Sequence, residues 1–134
     1  MRGRLVPPGV PLYRTRSQQF DDMVLDAVAR LEPRWEAELT GVEFAVQEVP
    51  EAGELVDDST PLPLARTIPG APGGDPEHPA TPARIVVYRR PLMARSESDG
   101  ELMELVFDIV VEEFADFLGL DPDSVDPGYR GGLD

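Results

Sequence analysis

The chain has no cysteine, no lysine, a single histidine and no apolar run that approaches the length of a membrane span. Without cysteine, disulfides and thiolate metal sites are excluded. Without lysine, every positive side-chain charge sits on arginine, a mark of GC-rich coding that carries no mechanism. With one histidine, a Ser–His pair would have to use His78, and no nucleophile elbow accompanies it. No glycine-rich loop lies between a strand and a helix, since Gly70, Gly73 and Gly74 follow no predicted strand. No zinc-finger spacing occurs. The opening residues MRGRLVPPGVPLY lack a signal-peptide apolar core, so a cytoplasmic protein with no membrane role is expected. Positive charge is also scarce: the formal net charge is −14, which argues against nucleic acid as a partner and leaves a protein or peptide.

What is present is enough for one domain: 134 residues can enclose a core but not two. The longest periodic stretch is Glu101 to Leu120. At the helical turn angle Leu102, Leu105, Val106, Ile109, Val110 and Phe117 share a broad face, and Glu113 falls inside it. Glu104, Asp108 and Glu112 fall opposite, with Asp116 at the boundary. A carboxylate in an apolar stripe must find a partner, stay protonated or open onto a pocket. Ser98 or Asp99 caps this helix and Gly119 ends it.

The rest of the chain reads in order. Residues 1–16 form a basic arm, with Arg2, Arg4, Arg14 and Arg16 spaced by Pro7, Pro8 and Pro11. The arm is expected to hug the surface or to dock on the acidic C-terminal helix. Ser17 is the expected N-cap of a helix over Gln18 to Leu31, with Phe20, Met23, Val24, Ala27, Val28 and Leu31 on its apolar face. Pro33 interrupts it, and Arg34 to Leu39 add a turn or two in which Trp35 is a packing residue. Val42 to Val49 reads as a strand, and so does Arg84 to Tyr88, whose continuous apolar run implies burial on both faces. Residues 50–83 are a long Pro- and Gly-rich loop that carries His78, with an edge strand available at Leu62 to Ile68. His78 is expected to be exposed; metal ligation would require convergent partners. Arg89 and Arg90 are expected in solvent, the alternative being a grip on carboxylates. Tyr129, in a turn-rich tail, can fold back over the core. The fold class is α+β, two main helices packed on a small mixed sheet.

Glu112 and Asp116 stand one turn apart and project the same way. That spacing suits a solvated acidic face, and equally two of the ligands of a hard cation such as Mg²⁺ or Ca²⁺.

The succession of helix, proline break, strand VEFAVQEV, Pro-rich segment, strand ARIVVYRRPL and a helix ending in FLGLDPDSVDPGY resembles the minimal zincin-like metallopeptidases, a bacterial family of small gluzincin-like fold. The resemblance runs from about Phe20 to Tyr129. In that family the last helix carries H-E-x-x-H, then a glycine and a nearby acidic residue. The histidines hold zinc and the glutamate activates water. Laid on this chain, the histidine positions are Glu112 and Asp116, the catalytic glutamate is Glu113 and the glycine is Gly119. The downstream acidic position falls on Pro122, between Asp121 and Asp123. Carboxylates in place of imidazoles favour hard cations over zinc and weaken Lewis acidity. Without a cation, such a cluster raises at least one carboxylate pKa. The resemblance therefore implies a catalytically inactive homologue, without cofactor, acting as a binding or scaffolding domain. Two alternatives stand beside it. One is a metal-dependent hydrolase with a rebuilt site of Glu112, Asp116 and His78. The other is a small acidic interaction protein whose likeness to the family is only architectural.

Overall fold

The computed structural model describes residues 15–51 and 62–129. The elements in order are α1 (Arg16–Leu39), β1 (Val42–Gln47), β2 (Ala65–Ile68), β3 (Ala83–Tyr88), α2 (Arg89–Ala94), α3 (Asp99–Leu118) and α4 (Pro122–Val125). This is an α+β fold: helices over a three-stranded mixed sheet of order β1-β3-β2. The expected arm at residues 1–16 lies almost wholly outside the described residues.

Helix α1 starts at Arg16, two residues before the expected Gln18. Thr15 is the N-cap: its hydroxyl accepts from the Gln18 amide at 3.0 Å, and the Gln18 side chain accepts from the Thr15 amide at 2.8 Å. Ser17 has no such partner three residues on, and the reciprocal pair satisfies two orphan donors at once. The helix buries Phe20, Met23, Val24, Ala27 and Leu31, whereas Val28 is only half-buried. Pro33 kinks the helix rather than ending it. Helical geometry breaks at Trp35, with φ −125° and ψ 21°, and resumes to Leu39. The kink delivers Trp35 to the far side of the core. Its indole N–H donates to the Val125 carbonyl at 3.0 Å, and its ring meets Phe114 edge-on with centroids 6.0 Å apart.

The sheet is built around β3. Strand β1 runs parallel to it, from Val42↔Ala83 to Gln47↔Tyr88. Strand β2 runs antiparallel on the other side, from Ala65↔Val87 to Ile68↔Arg84. Ile85, Val86, Val87 and Tyr88 are all buried, as a centrally placed apolar run should be. The described part of the long loop is ordered as an extension of the β2–β3 hairpin, with a bridge between Ala71 and Thr81 and a tight turn from Asp75 to His78. Arg89 does not lie in solvent. It forks onto both carboxylate oxygens of Glu48, and Arg90 reaches the same carboxylate at 3.5 Å. This arginine grip holds the Glu48 carboxyl below its usual range and ties the end of β1 to the start of α2. The short helix α2 occupies part of what reads in sequence as a linker.

Helix α3 packs on α1, α2, α4, β2 and β3. Its buried band is wider than one stripe, with Leu102, Val106, Phe107, Ile109, Val110, Val111, Phe114 and Ala115 all enclosed. Leu105 and Phe117, expected inside, are half-buried at its margins. The Ser98 hydroxyl caps it by accepting from the Glu101 amide at 3.1 Å. Gly119 closes it in the left-handed region at φ 74°, where a side chain would be strained.

Phe114 is fully enclosed between α1 and α3, so Phe114→Ala is expected to cost about 3–5 kcal/mol in urea unfolding. Trp35→Phe keeps an aromatic side chain but removes the bond to Val125 and part of the ring's packing; it is expected to cost about 1–3 kcal/mol in the same measurement.

Candidate functional site

The three carboxylates at the C-terminal half of α3 separate by direction. Glu113 is half-buried and faces β2, where its Oε1 accepts from the Thr67 hydroxyl at 2.8 Å. Glu112, also half-buried, faces the tail, where its Oε2 accepts a short hydrogen bond from the Tyr129 hydroxyl. Asp116 is exposed. The positions follow from helical geometry. One residue turns the side chain by about 100°, so adjacent glutamates on α3 serve different neighbours.

Burial is the main cause that pushes the Glu113 carboxyl above its ordinary range. The Thr67 hydrogen bond opposes the shift, and the negative charges of Asp116 and Glu112 add to it. Of the three outcomes open to this residue in sequence, it takes a partner and is biased toward its protonated form. One turn before Glu112, Asp108 is also raised, again mainly by burial, with Glu112, Glu104 and Asp126 contributing and Arg30 opposing. The Arg30 guanidinium lies over the Phe107 ring at 3.6 Å, which places a positive charge on this face. The Tyr129 hydroxyl is held above its usual range by burial and by its bond to Glu112.

The remaining expected residues do not join the cluster. His78 sits at the hairpin turn, 80% exposed, with its Nδ1 3.1 Å from Asp75 Oδ1. Pro122 starts α4, flanked by exposed Asp121 and Asp123. Among the described residues, no three histidine, aspartate or glutamate side chains gather where they could hold one ion. Sequence reasoning placed Glu113 inward and allowed Tyr129 to fold back, but it missed Thr67 and Asp108. Thr67 had a faint signal: a polar residue on a strand that alternates in exposure. Asp108 had a partial signal, the four-residue spacing of Glu104, Asp108 and Glu112 on one face of α3, but its burial had none.

The model of a family described as zincin-like metallopeptidase matches residues 39–131, a span that holds Glu112, Glu113, Asp116 and Gly119. The chain belongs to that family. The match starts at Leu39 and so includes the whole sheet, α2, α3 and α4, while nearly all of α1 lies before it. No curated protein matches the chain. Zincin-like metallopeptidases typically bind zinc, and here the donors do not fit that ion. The acidic pair Glu112 and Asp116 offers carboxylates, not imidazoles. Glu112 is engaged by Tyr129, and among the described residues no third donor converges. Zinc in a hydrolytic site wants imidazoles and an open fourth position.

The raised pKa of Glu113 has a definite sign in stability. The folded state holds this proton more tightly than the unfolded chain does, so the contribution to stability is full below the ordinary value of 4.5 and is lost as pH rises through the raised value. Glu113→Gln removes the titration and keeps a side-chain oxygen for Thr67. It is expected to raise Tm at pH 7 relative to the unmodified zincin-like domain, with the gain shrinking as pH falls toward 4.5. Asp108→Asn should behave likewise, its gain closing toward 3.8. Melting curves across pH 3–8 check both.

Proposed function

We propose that this zincin-like domain works by binding and does not hydrolyse peptides. The observation that carries the reading is the state of its ligand positions. Glu112 is spent on a hydrogen bond from Tyr129, Asp116 points to solvent, and Glu113 is held by Thr67. A water-activating glutamate needs a metal-bound water beside it and a carboxylate free to take a proton. Among the described residues no ligand set stands next to Glu113, and its Oε1 is engaged by Thr67.

The frame left behind suits an extended peptide. Strand β2 is an edge of the sheet, and among the described residues no strand pairs with its outer side. Such an edge offers backbone donors and acceptors to an added strand. A peptide laid there would pass beside Thr67 and Glu113. The partner is a protein or peptide rather than nucleic acid, since the chain carries a net charge of −14. Among the described residues no helix is long and apolar enough to cross a membrane, and a cytoplasmic setting belongs to the same proposal.

Calorimetric titration with Zn²⁺, Mn²⁺, Mg²⁺ and Ca²⁺ should give neither heat nor a thermal shift. Peptides selected by display against the domain should move the amide signals of residues 65–68, and Thr67→Val should weaken their binding. A tightly held zinc ion, together with peptide cleavage that disappears in Glu113→Gln, would replace this reading with an enzyme.

A further inference from the structure

We propose that the outer edge of β1, together with the groove between it and α1, takes an extended basic segment of a partner protein as an added strand. Strand β1 is the longer edge of the sheet, six residues against four in β2. Among the described residues no strand pairs with its outer side. Sheet edges are normally blunted by proline, lysine or an inward charge. Strand β1 has no proline and no lysine. Its one charged residue, Glu43, pairs with Arg84 on the face away from the groove.

The groove receives side chains. Its volume is about 570 Å³, with Val24, Leu25 and Val28 of α1 on one wall and Phe44 and Val46 of β1 on the other. Leu25 is 66% exposed, the most exposed of the large apolar side chains among the described residues. A strand added to β1 alternates as β1 does, so every second side chain enters beside Phe44 and Val46.

Charge selects the occupant. Asp21 and Glu32 also line the groove. The negative charge of Asp21 acts on Arg89, whose guanidinium grips Glu48 just beyond β1, so Asp21 stands by the end of the strand. Only Thr40 and Gly41 separate α1 from β1; the chain turns back on itself there, and Glu32 stands by the strand's start. From Asp21 to Glu32 the helix rises roughly 16 Å at about 1.5 Å per residue. The edge of β1 spans roughly 17 Å at about 3.3 Å per residue. The two acids thus mark the two ends of the edge, and among the described residues Glu32 has no cationic partner. A segment with arginine or lysine at both ends and apolar side chains between them answers this pattern. A second copy does not. Were two β1 edges paired about a two-fold axis, Asp21 of each copy would meet Glu32 of the other. The site is on the opposite edge from Thr67 and Glu113 and stands whether or not a peptide binds there.

The probe is the end-capped peptide Arg-Thr-Val-Thr-Val-Thr-Arg, whose arginines and valines share one face, titrated into the full isotope-labelled chain. Amide signals of residues 42–47 are expected to move, and those of residues 65–68 to stay. Glu32→Arg and Leu25→Gln, both at exposed positions, each weaken binding several-fold, and the effect of Glu32→Arg shrinks at high salt. Two further peptides carry N-methyl groups on alternate amides; the one whose methyl groups face the ladder fails to bind and the other binds. Any of five results would overturn the proposal. Shifts confined to residues 65–68 would assign the peptide to β2. Equal binding of a peptide with glutamate at both ends would remove charge recognition. Equal binding of both methylated peptides would remove strand addition. Shifts of residues 42–47 on dilution of the chain alone would assign the edge to a second copy. No shift at millimolar peptide would leave the edge without this occupant.

Discussion

Everything in this molecule is constrained by the placement of α3 at the centre of its neighbours. A helix with one partner can leave half its circumference to water. This one touches helices on several sides and two strands of the sheet, so each acidic side chain on it must leave through whichever gap its angle offers. Apolar burial sets those gaps first, at ~25 cal/mol for each Å² removed from water. The carboxylates then accept whatever donor stands at the opening. Thr67 and Tyr129 are those donors, one from the edge strand and one from the tail. The site is thus a by-product of core packing, and its chemistry follows from which donors the packing supplies.

The chemistry supplied is that of hydroxyl donors engaging one oxygen of each glutamate. A carboxylate has only a few acceptor positions, and a strong hydroxyl donor competes with any cation for them. Adjacent negative charge without a neutralising ion disfavours ionisation, and the burial of Glu113 and Asp108 does the same. A hydrolase of this architecture would use its ion to stabilise that concentration of charge. Here protonation and hydrogen bonding offset that concentration of charge.

Much of the architecture was legible in the residues. The apolar run IVVY announced a strand covered on both sides, and the β-formers from Val42 onward announced a second strand, though not its parallel pairing with the first. The edge strand at residues 65–68 showed only as a brief apolar patch in a Pro-rich stretch, because a four-residue strand carries too little alternation to stand out. The start of α1 was misplaced because Ser17 is a good cap by type, whereas Thr15 wins by its reciprocal bond with Gln18. At the site, the inward bias of Glu113 followed from helical phase alone. Its donor did not, since a contact across 46 positions has no local signature. The same holds for Trp35 and Val125, brought together only because a proline bends the helix between packing faces. Arg89 was read as solvated because a strand-end arginine has no sequence mark that tells a paired guanidinium from a free one.

The order of strands in the sheet has a consequence for how the chain is assembled. The middle strand is the last of the three to be synthesised, and β1 meets it only after residues 48–82 have been made. Until then neither β1 nor β2 has a ladder to join, and the apolar side of β1 waits in solvent. Closing that long interval makes the parallel pairing the slow, high-separation event. Helix α1, already complete and capped by Thr15, is a surface that β1 contacts in the finished fold and can meet before β3 is made. Acidic residues spread along the early chain keep such waiting species apart by mutual repulsion.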